Sequence, residues 1–141
     1  MDGDVLDVSR DVVGMATEQL EAETCTLAAQ LAAATCRFVL LIGELARREA
    51  WRSWGCRSMA HWLSWQCGLG PNAAREHVRT ANALAGMPLV TATFARGELS
   101  FSKVRALTRI TDLDEHQEEK LVGFAQIATA AQLERTVGAY R

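Results

Sequence analysis

The sequence predicts an all-α protein: a compact multi-helix bundle with a long N-terminal helix and two helix-turn-helix-like corners. Three observations carry this. Alanine, leucine, glutamate and arginine dominate while β-branched residues are scattered, which favours helix over strand. Apolar positions recur at spacings of three and four rather than two. Helix-start signals, a proline or a Ser/Thr/Asp followed three residues later by Glu or Gln, punctuate the chain after residue 70. With 141 residues, 49% of them hydrophobic and 23% charged, one globular domain is expected over residues 17–141, preceded by an acidic flexible stretch at 1–16.

The first helix is expected to be capped by Thr17 and to run to about residue 50. Leu20, Leu27, Leu31, Ala34, Phe38, Leu41 and Leu45 form a near-heptad stripe along it, of the kind that joins two chains. Val39, Leu40 and Ile42 widen that stripe, so most of the helix is read as packing into its own bundle, with homodimerisation through residues 17–50 kept as an alternative. After a linker containing Gly55, a short helix spans about Ser58 to Cys67, with Met59, Trp62, Leu63 and Cys67 inward. "GLGP" makes a corner, and Pro71 opens a helix to about Met87 whose inner face holds Ala74, Val78, Ala81 and Ala85. Pro88 begins another short helix. "ARGELS" makes a second corner, and Phe101, Val104, Leu107 and Thr108 face inward beyond it. Asp112 with Glu115 and Thr129 with Gln132 have capping-box spacing, placing helix starts near 113 and 130. Leu121, Phe124, Ala125, Leu133 and Val137 close the core. The chain runs into "GAYR" with no stop signal, as a segment of a longer polypeptide would.

Charge is unevenly distributed. The net charge is −2, which by itself argues against a nucleic-acid partner, because phosphate contacts supply most non-specific affinity. Residues 1–23, however, hold seven acids against Arg10, whereas residues 37–109 hold eleven bases against four acids. The segments "LGPNAAR" (69–75) and "LSFSKVR" (99–105) align, matching Asn72 with Ser102, Arg75 with Arg105 and Arg79 with Arg109. Each corner is thus expected to present an outward arginine pair at i, i+4. Arginine grips phosphates or guanine edges and asparagine pairs with adenine, so the residue types suit DNA. The candidate DNA-contacting residues are Asn72, Arg75, Arg79, Ser102, Lys103, Arg105, Arg109 and Arg57. Glu76, between two arginines, would repel phosphate unless paired.

Other chemistries are poorly supported. Cys25, Cys36, Cys56 and Cys67 contain no C-x-x-C pair and follow no secretory signal, so reduced, mostly packed cysteines in a cytoplasmic protein are expected. Cys56, His61, Cys67 and His77 have irregular spacing for zinc, and no metal or cofactor is expected. His61 and Trp65 at i, i+4 are read as packing together. Trp51, Trp54, Trp62 and Trp65 are read as core filling rather than base stacking. No Ser/His/Asp set, phosphate loop or inward carboxylate pair is evident, so no enzyme activity or small-molecule ligand is expected. The longest apolar run, "FVLLIGELA", is broken by Glu44, and no membrane span is expected.

Three segments together, "GCRSMAHWLSWQCGLGPNAAREHVRTANAL", "MPLVTATFARGELSFSKVRALTRI" and "ATAAQLERTVGAYR", resemble the actinobacterial repeat proteins that share domain of unknown function 222. The resemblance covers about residues 38–141. Members often continue into a C-terminal HNH endonuclease domain and many belong to mobile elements. It therefore implies a helical module placed before a nuclease, for DNA engagement or assembly. HNH residues are lacking here, so nuclease activity does not carry over. Two readings stay open, a DNA-binding module and an interaction or homo-oligomerisation domain. A third device, residues 1–23 lying as an acidic clamp over the basic face, is compatible with the first.

Overall fold

A computed structural model describes residues 9–140. After a helical stretch at 9–13 come α1 (Thr17–Arg47), a 3₁₀ turn (Ala50–Trp54), α2 (Met59–Cys67), α3 (Pro71–Leu84), α4 (Pro88–Ala95), α5 (Phe101–Leu107), α6 (Glu115–Ile127) and α7 (Ala130–Ala139). No strand occurs among the described residues, and the all-α expectation holds.

The ends of these helices follow from local chemistry. Ser58 and Ser100 cap α2 and α5, each hydroxyl accepting the N–H of the residue three positions on, which satisfies a donor the helix cannot. Pro71 and Pro88 occupy first-turn positions of α3 and α4. Thr129 and Gln132 form the expected capping box of α7. The box of α6 lies two residues beyond its expected place, on Asp114 and Gln117, because Asp112 is left-handed at φ 59° and an N-cap needs extended backbone. Thr17 is likewise not a cap; Ala16 holds that position and no side chain caps α1.

One continuous core joins α1 to α7, centred on Phe94, Leu107, Leu133, Val39 and Leu63, all at 1% exposure or less. Helix α1 packs on α3 and α4, α2 on α3, α4 on α6, and α5 on α7. The face α1 gives to this core is centred away from the expected leucine stripe, of which Phe38 and Leu45 alone pack partly against it. Ala32, Cys36, Val39 and Ile42 are buried, while Leu27, Leu31 and Leu41 are exposed. The helices α1 and α3 approach closely at one point, where an added Cβ at Gly43 would lie 3.5 Å from the Ala81 Cβ, so small side chains meet there. The inner face of α3 is rotated from the expected one, with Ala74, Thr80, Ala81 and Leu84 buried, Val78 partly buried and Ala85 exposed.

Other expected core residues also move outward. Phe124 is exposed, and Val122 fills the core instead. Trp54 and Trp65 are exposed and pair edge to face at 5.8 Å, while Trp51 and Trp62 are partly buried. None of the four tryptophans is fully buried. Only Cys36 is a buried cysteine, and burial raises its pKa, leaving its thiol unreactive at neutral pH. His77 is spent on packing: it stacks on Phe101 with ring centres 4.3 Å apart, and Phe38 meets it edge-on.

Candidate functional site

The corner between α2 and α3 gathers cationic side chains on one edge. Gly68 supplies the left-handed turn that ends α2 and Gly70 the extended residue before Pro71, so the start of α3 is folded back beside that of α2. The Arg57 N–H donates to His61 Nδ1 at 3.1 Å, and the His61 N–H donates to the Ser58 hydroxyl. With Nδ1 accepting, the imidazole proton sits on Nε2, which is left as a donor. The ring partner of Trp65 is Trp54. Arg57, Ser58, His61, Ser64 and Arg75 line a cleft of about 260 Å³ that no carboxylate enters. Arg75 donates to Asn72 Oδ1 within α3, and both are exposed.

The other arginines are placed differently. Arg79 turns inward: it donates from Nε to Glu76 at 2.7 Å and from its terminal nitrogens to the Arg105 and Thr108 carbonyls, at 3.2 and 3.5 Å. It thereby satisfies carbonyls at the C-terminal end of α5, which have no partner within that helix. The expected outward i, i+4 pair is corrected at this residue. It is corrected at Arg109 too, because α5 ends at Leu107 and Arg109 leaves the turn beyond to donate to the second oxygen of Glu76. Glu76 is thus shared by two guanidiniums. Arg105 lies 4.0 Å from Glu134 of α7, Ser102 is exposed and Lys103 half-buried on α5, and neither lines the cleft. Of the eight candidates, the structure brings together Arg57, Arg75 and Asn72. Sequence reasoning missed His61 and Ser64; the spacing Arg57, His61, Ser64 along the first turns of a short helix was the available signal.

A family model, described as a domain of unknown function, DUF222, matches residues 18–139. The chain belongs to the DUF222 family. No curated protein and no solved structure matches it.

In this DUF222 chain the expected acidic clamp falls partly on residues 1–8, outside the described residues. Among the described residues, Asp11, Glu18, Glu21 and Glu23 form no ion pair. No group of three potential metal ligands occurs among them either. A larger cleft, about 700 Å³, lies between α1, α3 and α4, but small apolar residues such as Gly43, Ala81, Ala85 and Ala92 line much of it. By length and composition alone helix α1 could cross a membrane, with a mean hydropathy of 1.7 over its best window, a property that core helices of bundles share.

The shared carboxylate of the DUF222 chain gives a pH-dependent prediction. The hydrogen bond from Arg79 lowers the Glu76 pKa, burial opposes this, and the charges of Arg79, Arg109 and Arg105 lower it further. A carboxyl with a depressed folded pKa stabilises the fold above its unfolded value, about 4.3, and loses that contribution as pH falls through the folded value. Urea midpoints should therefore fall below about pH 4.3, and Glu76→Gln should flatten that decline. An equally steep decline in the variant would show that other carboxylates carry it.

Proposed function

We propose that this chain is a DNA-contacting helical module that holds phosphate at the edge between α2 and α3. The observation supporting this reading is the cleft in which Arg57 and Arg75 stand with the His61 Nε2 donor and two serine hydroxyls, with no acid among its lining residues. Guanidiniums not neutralised by carboxylates are the groups that displace counterions from a polyanion. Arg79 and Arg109 are set aside as primary contacts, because both are held on Glu76.

The exposed Trp54 and Trp65 add to the reading. Trp65 stands one turn after His61 on α2, and exposed aromatic faces beside a basic cleft suit unpaired bases. The implied setting is that of a targeting module working beside a nuclease; no catalytic step is assigned to its own residues.

The test is a titration of random-sequence duplex and single-stranded DNA at several salt concentrations. Each phosphate contact on duplex adds roughly 0.9 to the slope of log affinity against log salt, so Arg57→Ala with Arg75→Ala should reduce the slope by about 2. Arg109→Ala should leave it nearly unchanged. An unaltered slope in the double variant, or no binding by the unmodified chain at low salt, removes the proposal.

A further inference from the structure

Helix α1 carries two apolar stripes; the bundle buries one and only partly covers the second, at Phe38 and Leu45. Ala32, Cys36, Val39 and Ile42 are buried. The leucine seam lies on a different face, roughly 120° away at 100° per residue, and every residue from 21 to 31 is exposed. Leu27, Leu31 and Leu41 are 48, 67 and 50% exposed. A row of leucines at heptad spacing over this length needs a partner helix to leave water.

The spacing identifies the partner. With Thr24 in the one vacant place, the seam runs through positions 20, 24, 27, 31, 34, 38, 41 and 45, alternating steps of four and three. Read backwards, the steps are the same. An antiparallel copy with Leu31 opposite Ala34 therefore sets Leu27 against Phe38, Thr24 against Leu41 and Leu20 against Leu45, where Phe38 and Leu45 offer only the part of their surface that their own bundle leaves uncovered. Such a match is isologous, the commonest symmetry of a homodimer.

Charge sets the direction. Residues 17–36 contain Glu18, Glu21 and Glu23 and no base, whereas residues 37–48 contain Arg37, Arg47 and Arg48 against Glu44, which pairs with both Arg47 and Arg48 and leaves that end a net +2. A parallel pair would place three acids beside their own copies; an antiparallel pair lays the acidic end of each helix beside the basic end of the other. We infer that the exposed seam of α1 is the antiparallel dimer interface of this chain. A lipid bilayer is the less suited occupant, since spanning it would tear the buried stripe of α1 from α3 and α4.

The inference does not rest on DNA binding, and its test contains no DNA. Sedimentation over a wide concentration range should show the mass rising from one chain to two. Leu27→Glu with Leu31→Glu, both outside the core, should keep the helical circular dichroism and remain monomeric throughout. For direction, Thr24→Cys mixed with Leu41→Cys should give a disulfide-linked pair on mild oxidation, its peptides assigned by mass spectrometry. Thr24→Cys alone should not link through residue 24. A constant single-chain mass, linkage of Thr24→Cys to itself, or flotation of the unmodified chain with anionic vesicles would overturn the inference. The cross-linking arm decides the matter even if the double glutamate variant fails to fold.

Discussion

Replacing Glu118 with alanine should destabilise the protein by about 3 kcal/mol, lowering its melting temperature by roughly 10 °C, because two buried donors lose their acceptor together. Glu118 belongs to α6 yet serves α4. Its Oε1 accepts the N–H groups of Leu89 and Val90 at 2.6 and 2.9 Å, and the side chain is only 4% exposed. Pro88 has no N–H, so these two amides are the first orphan donors of α4, and the carboxylate also faces the positive end of that helix. Glu118→Gln keeps an acceptor oxygen in place and should cost much less, about 1 kcal/mol. Thermal melts of both variants provide the check. A loss below 1 kcal/mol for the alanine variant would mean that water reaches the end of α4 as readily as the carboxylate does.

Gly97→Ala should cost about as much, for a different reason. Gly97 has φ +77°, and a Cβ there would stand 2.4 Å from the backbone oxygen of Ala29 on α1. The left-handed conformation alone costs a residue with a side chain about 1–2 kcal/mol. The collision adds to this, since a helix backbone cannot step aside as a flexible side chain can, and about 3 kcal/mol in all is expected. Gly55 and Gly68 are the controls. Their φ values are +72° and +71°, but nothing lies within 4 Å of an added Cβ. Gly55→Ala and Gly68→Ala should therefore show the conformational cost alone, and urea denaturation of the three variants separates the terms. Equal losses at all three would refute the contact with α1.

What the sequence made legible was what local chemistry decides. The two prolines, Ser58 and the Thr129–Gln132 box mark helix starts that the structure keeps, and both corners stand where glycine permits them. What escaped was decided by neighbours distant in the chain. Hydrophobicity points to the leucines of α1, but the packing of α3 and α4 against it buries the stripe of Ala32, Cys36, Val39 and Ile42, with Gly43 set against Ala81. Arg79 shares a helix surface with Arg75, and nothing local says that the end of α5 will stand beside it offering the carbonyls of Arg105 and Thr108. The outward face read for the four paired arginines therefore survives clearly at Arg75. Glu118 could have been found. It leads Leu121, Val122 and Ala125 at the inward spacing of three, four and seven, and a carboxylate on a buried face must have donors to meet.

The unequal support of α1 has a mechanical consequence. From Ala29, where Gly97 backs onto it, to Thr17 is roughly 18 Å of rod fixed at one end in the single chain. A tilt of about 10° at the root would swing the tip by about 3 Å, as a cantilever turns a small rotation into a visible sweep. Changes in the core near Gly43 would then be felt far from where they occur, at a place where another molecule could read them.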